Sequence, residues 1–264
     1  SKGWSWSHDD QVLTLGKDVY LGMNISLTDA KRNGEPIPLI IRVNGSNTLY
    51  PSNCSSAINS DYGVYITGEP GSNLSIVIGD GLSYGISCGN NESVGNEITI
   101  SKDVTVEFSI KNTSSPVTAI YTDNGDVTLL GSVTVTQWSP GIVDNKAVTG
   151  IEVGKTHCVN IGNGSSSSAS LTVDLPLNAK ETTAITAGGV IVYTAPDHTA
   201  ITTDYLDAES LNTFQSIKLI PEGFPEGETC GLYVISGKLD MRGVNFTVVS
   251  GRGPVFLGSG ADVK

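Results

Sequence analysis

The sequence predicts an all-β fold, namely a single-domain parallel β-helix that covers residues 1–264 and has irregular coils and projecting loops. Three observations predict this class. The chain contains many short strand-like runs bounded by turn residues, it has almost no helical periodicity, and a short motif recurs every few tens of residues. A chain of 264 residues can bury a sizeable core as one all-β unit.

Alternation of apolar and polar residues marks the strands. Each run is about four to seven residues long and is bounded by Gly, Asn, Asp or Pro. The runs cover 11–15, 39–43, 74–78, 104–110, 133–138, 170–175, 190–193, 216–220 and 246–249. Residues 1–38 are predicted to form an N-terminal capping coil. Only 204–214 has apolar residues at roughly helical spacing, which predicts a short helix or ordered insertion in a loop-rich segment, 196–229.

The repeated motif is a small residue followed by an aliphatic one, flanked by Ser, Thr or Tyr. We expect the aliphatic residue to be an anchor that stacks on its equivalents in neighbouring coils, while the small residue lets the coils approach closely. A sandwich or barrel would instead show hairpin turn signals between longer paired runs. The anchors, separated by 22, 34, 31, 34 and 47 residues, are Val64, Ile86, Ile120, Ile151, Ile185 and Leu232.

Charge and hydropathy exclude several classes of partner. The net charge is −12 and the isoelectric point is about 4.5, so nucleic acids and anionic membranes would be repelled. Acidic polysaccharides would be repelled too, unless a divalent cation bridges them to the protein. The chain has no run of 18 apolar residues, so no membrane insertion is expected. The opening "SKGWSW" fits a chain whose export signal has been removed, although a cytosolic protein would look the same.

The four cysteines are widely spaced and form no C-x-x-C pair, which argues against zinc and redox motifs. They are Cys54, Cys88, Cys158 and Cys230. Two disulfides in any of three pairings are compatible with the sequence. Buried free thiols inside a β core are favoured, because free cysteine is among the most buried residue types.

Three segments resemble the repeats of secreted bacterial right-handed parallel β-helix proteins of the carbohydrate-binding or adhesin type. The segments are "GWSWSHDDQVLTL", "YGVYITG…LSIVIGDG" and "AIYTDNGDVTLLGSVTV". The resemblance implies an extracellular or cell-surface location and a polysaccharide or host or cell-surface glycan as partner. Some members of the group look calcium-dependent. Pectate lyases and polygalacturonases open with a capping helix, for which this chain has no obvious equivalent.

Aromatic residues are the first candidates for glycan contact, because a flat ring matches the C–H face of a pyranose. Trp138 lies at a strand end beside a turn, and Tyr65, Tyr84 and Tyr121 flank anchor positions, so the three tyrosines are expected to form a ladder on one face. Two further tryptophans, spaced by two residues near the first coil, are expected to cap its open apolar end.

Candidates for metal binding and catalysis are few. In "DNGD", Asp123 and Asp126 could bind calcium, or the tetrapeptide could be an ordinary solvated turn. His157 adjoins Cys158, but adjacent strand residues point to opposite faces and would not pair as base and nucleophile. No catalytic carboxylate pair is recognisable. The sequence therefore favours a non-enzymatic polysaccharide-binding or adhesin-like module; a β-helix polysaccharide lyase or glycoside hydrolase and a structural stalk are the alternatives.

Overall fold

The chain is a parallel β-solenoid in a computed structural model that describes residues 3–89, 96–111, 115–137, 147–164, 166–174, 182–203, 215–219, 231–240, 245–248 and 255–263. These residues contain strands and no helix, which confirms the predicted all-β parallel fold. The described residues therefore include no helix long and apolar enough to cross a membrane.

In chain order the strands are β1 Trp4–Ser7, β2 Val12–Leu15, β3 Tyr20–Leu21, β4 Ile25–Leu27, β5 Lys31–Arg32, β6 Glu35–Pro36, β7 Leu39–Val43, β8 Ser46–Leu49, β9 Ser56–Ser60, β10 Val64–Gly68, β11 Ser72–Ile78, β12 Tyr84–Cys88, β13 Ile98–Ile100, β14 Val104–Ile110, β15 Val117–Thr122, β16 Val127–Leu129, β17 Ser132–Gln137, β18 Val148–Val153, β19 Cys158–Ile161, β20 Ser170–Asp174, β21 Thr182–Ala187, β22 Gly189–Tyr193, β23 Thr199–Thr203, β24 Gln215–Leu219, β25 Gly231–Asp240, β26 Asn245–Val248 and β27 Val255–Val263. Each of the predicted strand runs coincides with one of these strands.

Each coil crosses three faces, and every face is a stack of parallel strands. The first face runs through β2, β7, β10, β13, β16, β19 and β22. The second runs through β3, β8, β11, β14, β17, β20 and β23. The third runs through β4, β9, β12, β15, β18, β21, β24 and β26. The long strand β25 continues both the first and the second face and pairs with β27.

An isoleucine ladder runs along the third face, and its members Ile58, Ile86, Ile120, Ile151 and Ile185 are buried in the core. The residues in register are Ile25, Ile58, Ile86, Ile120, Ile151, Ile185 and Ile217, followed by Phe246. The ladder confirms four of the six predicted anchors. The other two are wrong: Val64 pairs with Leu39, and Leu232 pairs with Val190, so both belong to the first face.

The glycines before Ile86 and Ile151 allow the close approach of neighbouring coils that was predicted. A Cβ added to Gly85 would lie 2.5 Å from the Phe108 ring and 2.6 Å from the Ala119 carbonyl oxygen. A Cβ on Gly150 would lie 2.6 Å from the Ala184 carbonyl oxygen. Larger side chains would therefore push neighbouring coils apart or displace a core ring.

The N-terminal edge is covered by β1, which pairs with β2 in antiparallel orientation. Trp4 lies opposite Leu15 and Trp6 lies opposite Leu13, so both indoles share the core side of this sheet. The arrangement agrees with the expected capping, although 36% of Trp4 and 39% of Trp6 remain exposed. Between the third and first faces the chain leaves the coil as the short β5–β6 hairpin.

The interior contains aliphatic side chains and free thiols. Cys54 and Cys88 carry free thiols, and Cys158 forms no disulfide with either of them, whereas Cys230 lies outside the described residues. Burial raises the pKa of the Cys88 thiol to about 12, which keeps it protonated.

Part of the predicted C-terminal insertion, 196–229, belongs to the solenoid. Strands β23 and β24 fall within it and continue the second and third faces. The helix or ordered insertion predicted for 204–214 lies outside the described residues.

Candidate functional site

A groove of about 550 Å³ lies on the first face, beside the segment that follows the β5–β6 hairpin. It is partly open to solvent, and its lining is mostly apolar. The residues that line it are Pro36, Pro38, Ile40, Tyr62, Gly63, Val64, Tyr65, Glu97 and Thr99.

Strand register places three of these side chains in a row. Ile40 of β7 pairs with Tyr65 of β10, which pairs with Thr99 of β13. Because strand side chains alternate between faces, the flanking Val64 and Ile66 point into the core and are buried. Tyr65 points outward with 37% of its surface exposed, so its ring is available at the middle of the groove.

Gly63 shapes the base of the groove. Its φ of +113° lies in the region that favours glycine, and an added Cβ would lie 3.0 Å from the Glu97 carbonyl oxygen and 3.4 Å from Pro38 Cβ. Backbone hydrogen bonds fix the same point: Leu39 N donates to Gly63 O at 3.0 Å, and Val64 N donates to Glu97 O at 2.9 Å. The wall carrying Pro38 is thereby held against the first face.

A small charged network anchors one end of the groove. The Tyr62 hydroxyl donates to Asp29 Oδ1 at 3.1 Å, and Lys31 Nζ lies 3.2 Å from the same oxygen and 5.8 Å from the centre of the Tyr62 ring. The hydrogen bonds from Lys31 and then Tyr62 lower the pKa of the Asp29 carboxyl, and the bond to Asp29 raises the pKa of Lys31. Both groups are therefore ionised near neutral pH and hold the Tyr62 hydroxyl in place.

A second, charged cleft of about 360 Å³ lies between the β1–β2 and β5–β6 hairpins. It is lined by His8, Asp9, Asp10, Gln11, Lys31, Arg32 and Ile37. Arg32 Nη2 lies 3.9 Å from Asp10 Oδ1, and the Ser7 hydroxyl donates to Asp10 Oδ2 at 2.9 Å. Two acids and two bases balance one another here, so the cleft is not a positive clamp. Sequence reasoning missed it because the hairpins bring its residues together without any periodic signal.

Two of the predicted tyrosines meet on the third face. The rings of Tyr84 and Tyr121 have centroids 4.8 Å apart and planes inclined by 31°. Tyr65 belongs to β10 on the first face, so the expected single ladder of three tyrosines is wrong. Trp138, the fourth predicted ligand residue, lies outside the described residues.

The predicted calcium residues are placed by the turn before β16. Asp126 Oδ1 accepts the backbone N–H of Cys158 at 2.8 Å and lies 3.4 Å from His157 Nδ1, while Oδ2 accepts from the Asn160 amide at 3.4 Å. Asp126 therefore links its coil to the next one. The described residues contain no group of three or more His, Cys, Asp or Glu side chains that could hold a metal, and calcium binding by Asp123 and Asp126 stays a prediction.

No protein-family model, curated protein or solved structure matches this chain.

Proposed function

We propose that this chain is a non-enzymatic extracellular or cell-surface module that binds a polysaccharide or a cell-surface glycan. The observation that carries the proposal is the open groove of the first face, with the Tyr65 ring at its middle. The resemblance of the repeats to carbohydrate-binding and adhesin-type β-helix proteins supports the same class of partner.

The groove has the two kinds of contact that a sugar chain needs. Apolar surface from Pro38, Ile40 and the Tyr65 ring can pack on the C–H face of a pyranose. Glu97 and Thr99 add hydrogen-bonding groups at the groove wall. Because the site is a groove and not an enclosed cavity, it suits an internal stretch of a polymer.

The electrostatics favour a neutral glycan. The chain carries a net charge of −12, and the acidic residue Glu97 is among those that line the groove. A uronate-rich polymer would be repelled unless a divalent cation bridged the two carboxylates. We therefore expect neutral glycans to bind without calcium, and acidic glycans to bind only when calcium is present.

The test is retention on a panel of neutral and uronate-rich polysaccharides, each with calcium and with chelator. Tyr65→Ala should weaken binding of the retained glycan by about tenfold, because it removes a stacking ring and the apolar surface of that ring. Tyr20→Ala is the matched control. Tyr20 is 66% exposed and lies on the second face, so the Tyr20→Ala variant should bind the glycan as tightly as the unaltered protein does.

Two outcomes would contradict the proposal. One is retention that Tyr65→Ala and Tyr20→Ala leave equally unchanged, which would remove the groove from recognition. The other is the absence of retention on every glycan, which would favour the structural stalk.

A second candidate, a polysaccharide lyase or hydrolase, is favoured by the cleft that brings His8, Asp10 and Arg32 together. An acid beside an arginine could bind and deprotonate a sugar substrate. New reducing ends or unsaturated products, lost in Arg32→Ala and kept in Tyr65→Ala, would establish this activity in place of simple binding.

A further inference from the structure

The outer side of the third face carries an aromatic pair that the groove does not use. Tyr84 begins β12 and Tyr121 lies in β15, the next strand of the stack. Their centroid distance of 4.8 Å and their inclination of 31° place the two rings in contact. The two rings therefore form an aromatic pair that spans two coils.

Carboxylates adjoin this aromatic pair. Glu152 of β18 is in register with Tyr121, and its Oε2 accepts a hydrogen bond from the Thr118 hydroxyl at 3.3 Å. Asp123 follows β15 directly. Burial raises the pKa of Tyr121, and the charges of Asp123 and Glu152 raise it further, so both carboxylates act on the same ring.

The ion pairs of Lys31 with Asp29, Arg32 with Asp10 and His157 with Asp126 include neither Asp123 nor Glu152. The aromatic pair therefore adjoins two carboxylates that these ion pairs do not use.

We propose that Tyr84, Tyr121, Glu152 and Asp123 form a binding site for an ammonium group. A cation over a tyrosine ring is attracted by the negative face of the ring, and a neighbouring carboxylate adds a Coulomb attraction. The net charge of −12 raises the local concentration of cations at such a surface. This site is independent of the glycan groove, because Tyr84 and Tyr121 lie on a different face from Tyr65.

Two kinds of molecule carry this chemistry. A quaternary ammonium, as in choline, would contact the rings and gain the Coulomb attraction of the carboxylates without hydrogen bonds, whereas a primary ammonium, as in a lysine side chain, would also donate hydrogen bonds to Glu152. Choline chloride and lysine amide are therefore the two probes, and glucose is the neutral comparison. Binding is measured by calorimetry and by the chemical shifts of the tyrosine ring protons, at low and at high salt.

Substitutions separate the ring from the charge. Tyr121→Phe keeps the ring and should bind within about twofold of the unaltered protein, whereas Tyr121→Leu should bind about fivefold more weakly. Glu152→Gln should also weaken binding by about fivefold and should reduce its dependence on salt. Tyr65→Ala should leave ammonium binding unchanged. Circular dichroism of each variant checks that the solenoid is intact.

Saturable binding of choline or of lysine amide that follows this order of variants would support the site, and the tighter probe would assign the kind of ammonium. The proposal is overturned if neither probe binds, if glucose binds as tightly as the cations, or if an intact Tyr121→Leu protein binds as well as Tyr121→Phe. Failure of glycan binding alone would not affect this result.

Discussion

Truncation of the central residue of the isoleucine ladder should be costly. Ile120 is fully buried and packs in register between Ile86 and Ile151. Ile120→Ala removes three carbon atoms, which at about 0.8 kcal/mol each corresponds to about 2.4 kcal/mol of lost burial. The cavity that remains between two rigid neighbours raises the expected loss in the free energy of unfolding to about 3–4 kcal/mol. Ile120→Asp should prevent folding, because the charge would have no partner in the ladder.

Position in the ladder provides the control. Ile25 lies at the N-terminal end, packs on Ile58 from one side and is only partly buried. Ile25→Ala should therefore cost about 1–2 kcal/mol, and the more conservative Ile120→Val about 1 kcal/mol. The free energies are measured by urea unfolding followed by far-UV circular dichroism.

The register of the ladder predicts the order of these losses in the free energy of unfolding. A central truncation must cost more than the same truncation at the end, since it disturbs two coil interfaces instead of one. If Ile120→Ala lost no more stability than Ile25→Ala, or if Ile120→Asp gave a soluble protein with an unchanged melting transition, the register of the third face would be refuted.

The remaining predictions concern a thiol and a turn. At pH 8, Cys88 should react with iodoacetamide far more slowly than Cys54, because its pKa of about 12 leaves little thiolate, and the rate should increase as the pH rises towards that value. Equal rates in the folded protein would contradict this, whereas equal rates in urea are the expected control. Asp126→Ala should lower the free energy of unfolding by about 1–3 kcal/mol, since it leaves the Cys158 N–H without its acceptor. Asp126→Asn keeps an acceptor oxygen, so it should lose less of the free energy of unfolding than Asp126→Ala, and equal losses in the two variants would argue against the hydrogen bond. If calcium stabilised the unaltered protein but neither variant, a metal role for Asp126 would be supported.

The fold was predictable because its signals are local and repeated. Alternation identified the strands, and the motif around Ile86, Ile120, Ile151 and Ile185 identified one ladder. The motif assigned Val64 to the wrong face because the same sequence pattern occurs in two different backbone conformations. Gly63 has a φ of +113° at a turn before the first face, whereas Gly85 lies within a strand of the third face.

One missed ladder member, Ile217, had a weaker signal. In β24 Ile217 directly follows Ser216, whose partner is Thr183, so this strand lacks the extra residue that Ala184 adds between Thr183 and Ile185. The register shift between Thr183 and Ile185 absorbs the difference in length. The glycine or alanine that precedes the recognised anchors is therefore absent here, whereas the missed Ile58 does follow an alanine, Ala57.

The groove was hidden from the sequence for another reason. Tyr65 was a candidate, but its neighbours Pro38 and Glu97 reach it through a turn at Gly63 and through pairing of β10 with β13. These contacts depend on the register of distant strands, which a single sequence specifies only indirectly. The contact between Tyr84 and Tyr121 similarly depends on the pairing of β12 with β15.

The antiparallel strand β1 has a consequence for self-association. A parallel stack exposes an unpaired row of N–H and C=O groups at its edge, where a second copy of the chain could add a strand and begin a fibre. At the edge of β2 that row is already paired with Trp4–Ser7, in the opposite direction to every other strand of the face. Because β1 runs in the opposite direction, this edge does not continue the parallel pairing pattern for a strand of a second copy. A few residues of reversed strand thereby disfavour parallel addition of a second copy at this edge of the first face.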